Sequence, residues 1–208
     1  MNENICNEIP IIYITGFGPF GKHSENASQK VVEKLALLNI DSDLKVKLET
    51  DILDVAYKPV LEKIPNKWKT SKPKLVIHIG VSELAENIVL EKQSFNNDYC
   101  QPDINSCCVQ SKQCLIGFPE TLQTQLDLEG AIKDLENNEK FHLKCSVSTN
   151  PGRFLCGFVY YLSLSVSQKR SLFIHVPVLS IVHEDQDVAA YTLASTVGYL
   201  NKNIIQSS

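Results

Sequence analysis

Three residues able to attack a carbonyl and move its protons stand at positions that one fold could bring together. Cys156 closes the segment Asn150-Pro151-Gly152-Arg153-Phe154-Leu155-Cys156, where a strand ends, a Pro-Gly turn follows and a helix begins. Amides at a helix start stabilise a thiolate and can hold an oxyanion. The plainer alternative is a buried, inert thiol, a common state of free cysteine. His175, in Phe173-Ile174-His175-Val176-Pro177, ends an apolar strand that Pro177 stops. It reads either as a core histidine with satisfied nitrogens or as a base at the sheet's carboxyl edge. Glu91, in Val89-Leu90-Glu91-Lys92, ends another apolar strand. It reads either as a surface charge or as the acid that orients an imidazole. A nucleophile, a base and an orienting acid on one edge are the parts of a thiol hydrolase. Their order along the chain differs from that of papain-like enzymes.

A second chemical motif is Gly16-Phe17-Gly18-Pro19-Phe20-Gly21, which has the spacing of a dinucleotide fingerprint. The physics opposes that reading. The fingerprint needs helix amides facing a pyrophosphate, yet Pro19 removes one amide and the next helix cap is Asn26. Two phenylalanines suit either a turn packed into the core or an aromatic pocket for a small apolar ligand. Cys100, Cys107, Cys108 and Cys114 crowd one polar segment without a CxxC pair. Zinc is therefore not expected there, and a cysteine-rich loop is.

These residues need elements to hold them. Residues 9–15, 74–79, 87–91 and 171–176 read as buried strands, 143–149 reads as a strand, and 44–51 alternates as a half-exposed one. Helices are predicted over 27–38 with Asn26 as cap, 54–64, 128–137, 151–168 and 186–203. Between Lys92 and Gln125 no period is visible, and a segment of that kind is read as a functional loop, a wall or a lid. Strands alternating with helices imply an α/β class, a sandwich with a largely parallel sheet, in one domain spanning 1–208. Sites in such sheets form at the carboxyl ends of strands.

The 208 residues carry 43% apolar and 21% charged side chains, near globular averages. A net charge of −4 lacks the basic footprint of a nucleic-acid binder. The N-terminus has no basic segment before its short apolar run, and Phe154–Val166 is too short to span a bilayer. Seven cysteines, an odd number without a secretion signal, are expected to be reduced. A cytoplasmic protein without metal or membrane association is the expectation.

The motifs TGFGPFGKHSENAS, VIHIGVS, VLEK, PGRFLCGFVYY and FIHVP, in that order, resemble the pyroglutamyl-peptidase I family of cysteine peptidases, its animal branch most. The resemblance implies an α/β/α fold with a twisted, mostly parallel sheet. It implies a triad of Cys156, His175 and Glu91, and a lactam pocket lined by Phe17, Phe20, Phe154 and Leu155. It further implies substrates that are peptides with N-terminal pyroglutamate, and no cofactor. Monomer and homo-oligomer both stay open. Two departures stand out. Many members carry a basic residue about ten positions after the glutamate, whereas Gln93–Asp103 contains no lysine or arginine. Asn150 replaces the aspartate of animal members. The first departure keeps a non-catalytic binding protein on the same fold as the alternative.

Overall fold

The computed structural model describes residues 9–21, 25–137, 144–178 and 183–206. Cys6 and positions 22–24 of the glycine-rich loop lie outside them. The chain runs β1 (Ile11–Phe17), α1 (Ala27–Leu37), α2 (Ile40–Leu44), β2 (Lys47–Leu53), α3 (Tyr57–Thr70), β3 (Leu75–Ser82) and β4 (Ile88–Glu91). It continues through β5 (Gln93–Phe95), β6 (Thr121–Gln123), α4 (Leu128–Glu136), β7 (Cys145–Ser148), α5 (Leu155–Val166), β8 (Ser171–Pro177) and α6 (His183–Gln206).

Six strands form one sheet in the order β2-β1-β3-β8-β4-β7. The first four are mutually parallel; β4 pairs antiparallel with β8 and parallel with β7. The mostly parallel sheet is sealed on both faces, as its near-continuous apolar strands require. Ile12, Ile14, Ile77, Ile79, Leu172 and Ile174 face α1, α4 and α6. Tyr13, Val76 and Phe173 face α3 and α5, whose Val60, Ile64, Phe158 and Val159 cover them. The architecture is thus a three-layer α/β/α sandwich.

Local chemistry sets the boundaries. Asn26 caps α1, its Oδ1 accepting from the Ser28 amide at 3.0 Å. Its Nδ2 donates to the Gly18 carbonyl at 3.0 Å, so the glycine-rich loop is tied to the same cap. The predicted helix 54–64 starts later and runs on through Pro65 to Thr70. Pro65 lies on the solvent side, where the Leu61 carbonyl it leaves unbonded can turn to water. The helix expected over 151–168 begins only at Leu155, after the Pro-Gly turn.

The segment 92–125 is not featureless. β5 and β6 close its base as an antiparallel ribbon. Asp103 then docks it on α3: Oδ2 accepts from the Tyr57 amide at 3.0 Å, and Oδ1 from the Asn105 and Cys107 amides at 2.8 and 3.0 Å. Burial pushes the Asp103 pKa up, but these three amides outweigh it and hold the carboxyl below its ordinary range. Ala56 cannot cap α3 itself, so Asp103, 46 positions beyond Tyr57, performs that role. Tyr99, Cys114 and Leu122 are buried in the α3/α5 layer. The segment is therefore docked on α3 and packed beside α5.

A buried polar chain locks α5 to the sheet. Thr15 Oγ1 meets His78 Nδ1 at 2.7 Å, and His78 Nε2 meets Ser163 Oγ at 2.7 Å. The Trp68 indole donates to the same hydroxyl at 3.1 Å. Burial drives the His78 pKa down to about 3, so this imidazole stays neutral. No helix among the described residues is long and apolar enough to cross a membrane.

Candidate active site

The turn between β7 and α5 is built by Asn150, whose Oδ1 accepts from the Gly152 amide at 3.3 Å and from Arg153 Nη1 at 3.2 Å. Phe154 is the N-cap, extended at φ −132 and ψ −158, with no side-chain cap bond. The first helical bond runs from the Phe158 amide to the Phe154 carbonyl at 2.9 Å. Amides of the first turn of α5 thus remain without intrahelical partners. Cys156 is the second residue of that turn. Gly157 follows because the turn folds tightly back: a Cβ there would stand 2.2 Å from the Gly152 carbonyl oxygen.

The Cys156 side chain lies close enough to His175 to raise its pKa. His175 Nδ1 in turn lies 2.8 Å from Glu91 Oε1, with the two residues only 7% and 2% exposed. Burial alone would lower the imidazole pKa. Hydrogen bonds and charge from Cys156 and Glu91 overcome it and raise it to about 9. The net shift favours the protonated imidazole next to the sulfur. Glu91 is held from behind by the Tyr160 hydroxyl, which donates to its backbone carbonyl at 2.8 Å. Glu91 Oε2 is buried and has no hydrogen-bond partner.

The three side chains do not converge along a common carboxyl edge, as a fully parallel sheet would have arranged them. Because β4 runs against β8, Glu91 pairs with Phe173, and Val89 is the residue opposite His175. Side chains two residues apart on a strand share a face, so Glu91 reaches His175 diagonally across that face. α5 lowers Cys156 onto the same face from above. The meeting point is a place on the sheet's surface.

Gly80 provides the seat. It pairs with His175 in the β3–β8 register, and a Cβ on it would lie 2.9 Å from Cys156 Sγ and 2.7 Å from Phe173 Cζ. The close approach of the sulfur to Gly80 is visible only in three dimensions. Gly80→Ala is expected to displace the thiol by several tenths of an ångström. Overpacking should cost about 1–3 kcal/mol, and misplacing a reacting atom should lower kcat by roughly ten- to a hundredfold. Thermal unfolding beside kcat on the folded protein measures both.

The four residues expected to line a pocket separate into two kinds. Phe17 and Leu155 are 3% and 1% exposed and belong to the α3/α5 core. Phe20 is 37% exposed. Phe154 is half-buried, with its ring 5.9 Å from Tyr57 in an edge arrangement. A cationic residue that sequence reading passed over lies nearby. The Arg153 guanidinium sits 3.5 Å above the Phe95 ring. The window Gln93–Asp103, which has no basic residue of its own, thus receives one from the α5 turn. Among the described residues, no group of three or more His, Cys, Asp or Glu is placed to hold a metal ion.

A thiol at a helix start, paired with an imidazole on an α/β/α sandwich, defines the class as a cysteine hydrolase. A family profile described as pyroglutamyl peptidase matches residues 11–204. Human pyroglutamyl-peptidase 1 is 36% identical over 168 residues, covering 81% of this chain and 79% of that protein. Pyrrolidone-carboxylate peptidase of Pyrococcus furiosus is 26% identical over 172 residues, 80% of each chain. The solved pyrrolidone carboxyl peptidase of Thermococcus litoralis shares the fold with a TM-score of 0.80 at 20% identity, over 96% of both chains. The chain belongs to the pyroglutamyl peptidase family and is a cysteine peptidase.

Proposed function

We propose that the protein removes N-terminal L-pyroglutamyl residues from peptides, with Cys156 as nucleophile, His175 as acid–base and Glu91 as orienting acid. The observation that carries this is the buried His175–Glu91 pair, bonded at 2.8 Å, with the half-buried Cys156 beside His175 at a helix start, in a chain of this family. His175 holds the thiol proton, and the thiolate attacks the pyroglutamyl carbonyl carbon. The oxyanion forms against the Cys156 amide, one of the free donors of the first turn. The C–N bond breaks as His175 passes its proton to the leaving amine. Water, deprotonated by the now neutral imidazole, cleaves the thioester and releases pyroglutamate. Glu91 keeps one tautomer throughout and stabilises the imidazolium.

The pyroglutamyl ring is a flat, neutral lactam without a free amine. An apolar slot with a few backbone hydrogen bonds suits it. In this reading Phe20 and Phe154 offer aromatic faces to the ring, while Phe17 and Leu155 support them from the core. The deciding assay is release of a coumarin amine from its pyroglutamyl amide by the reduced protein. Turnover that iodoacetamide abolishes supports the reading. A folded, reduced protein that releases no coumarin overturns it.

A further inference from the structure

Beside the turn that leads into Cys156 lies a hollow of about 520 Å³, lined by Gln93, Phe95, Asp98, Asn150 and Arg153 among others. We infer that this hollow is the subsite for the leaving part of the substrate, and that Arg153 there binds a carboxylate of the peptide beyond the scissile bond. The inference rests on the peptidase reading above.

Position comes first. Phe154 packs toward Tyr57 on α3, and Arg153 packs onto Phe95 of β5. Consecutive residues of an extended segment point to opposite sides, and Phe154 is extended. With the lactam ring on the Phe154 side of the sulfur, the amine side of the scissile bond is directed to the Arg153 side. Three peptide steps separate Arg153 from Cys156, at most roughly 11 Å between Cα atoms. A carboxylate one or two residues past the scissile bond lies within reach of a side chain as long as arginine.

The chemistry follows. Arg153 is half-buried, and its guanidinium is fixed by the Phe95 ring and by one bond to Asn150 Oδ1. Its Nε is buried without a hydrogen-bond partner. Among the described residues no carboxylate lies within ion-pair distance of it. A rigid guanidinium with unused donors is suited to a carboxylate, which it can bind with charge-assisted bonds. Asn150 contributes a neutral carbonyl oxygen there, so the turn orients the cation and leaves its charge uncancelled. Asp98 stands on the exposed rim and opposes an anion more weakly.

The test compares two substrates in one enzyme preparation: pyroglutamyl-alanyl-glutamate and pyroglutamyl-alanyl-glutamine, both with amidated C-termini so that they differ in one carboxylate. In the wild type the acidic peptide should have the higher kcat/KM by roughly tenfold, as for one charge-assisted bond. Arg153→Gln should bring that ratio to about one, Arg153→Lys should retain part of it, and Asp98→Asn should increase it. A general loss of activity cancels in the ratio. A wild-type ratio near one, or a ratio that survives Arg153→Gln, overturns the subsite while the peptidase reading stands. Absence of turnover of both peptides and of the neutral coumarin amide by the wild type overturns both.

Discussion

Cys156→Ala should lower kcat on a pyroglutamyl amide by roughly 10⁴-fold or more while the fold persists, because losing a nucleophile removes the covalent path altogether. The side chain is small and half-buried, at the first turn of α5, so the alanine should cost little stability. Among the other cysteines, Cys100, Cys107 and Cys108 are exposed and none of them touches His175. Alanine at each should leave kcat within about twofold. Cys114 is different in kind. It is buried under α5, where its thiol meets the Phe158 carbonyl at 3.6 Å and burial pushes its pKa upward. Cys114→Ala should lower the melting temperature and spare kcat. Denaturation curves and single-turnover kinetics on the variant set separate the two effects. A Cys156→Ala protein that is folded and retains near-normal kcat would remove the nucleophile from this account.

The second large effect concerns Glu91 and has a pH signature. The imidazole of His175 is raised from 6.5 to about 9 against the opposing pull of burial, and Glu91 supplies part of that rise. If the cationic form gives its proton to the leaving amine, kcat/KM should fall on the alkaline side with a midpoint near 9. Glu91→Gln keeps the shape, removes the charge and lets the imidazole take the wrong tautomer. It should lower kcat by roughly 10²–10⁴-fold and move the alkaline midpoint toward 6.5. The folded state favours the protonated imidazole, so the unfolded chain releases this proton first as pH rises. The stabilisation is therefore complete below about 6.5 and is lost as pH rises through about 9. Melting temperatures from pH 6 to pH 10 should show that decline in the wild type and a weaker one in Glu91→Gln. An unchanged alkaline limb in the variant would mean that Glu91 does not tune His175.

Much of this was legible in the chain itself. β-branched runs such as Ile11-Ile12 and Val76-Ile77 announce strands, because their stiff side chains favour a pleated, buried surface. Asn26 before an apolar 3.6-residue period announces α1, because its side chain bonds an orphan amide. The residues Glu91, Cys156 and His175 could be nominated from their chemistry and from the family motifs around them.

Tertiary structure decided the rest. An apolar run specifies a strand but not its direction, because ladder hydrogen bonds join backbones with little regard to side chains. The reversal of β4 against β8, and with it the diagonal reach of Glu91 to His175, therefore had no signature. The short β5 and β6 were hidden for a related reason. Three residues cannot show a period, and their pairing spans a loop held by the distant contacts of Asp103. Phe17 and Phe20 look alike in one motif, yet only the packing of α3 and α5 makes one of them core and leaves the other partly exposed. The seat at Gly80 and the cation that Arg153 brings to Phe95 are likewise properties of close approach. Each joins residues 58 or more positions apart, and contacts at that separation arise only when the layers pack.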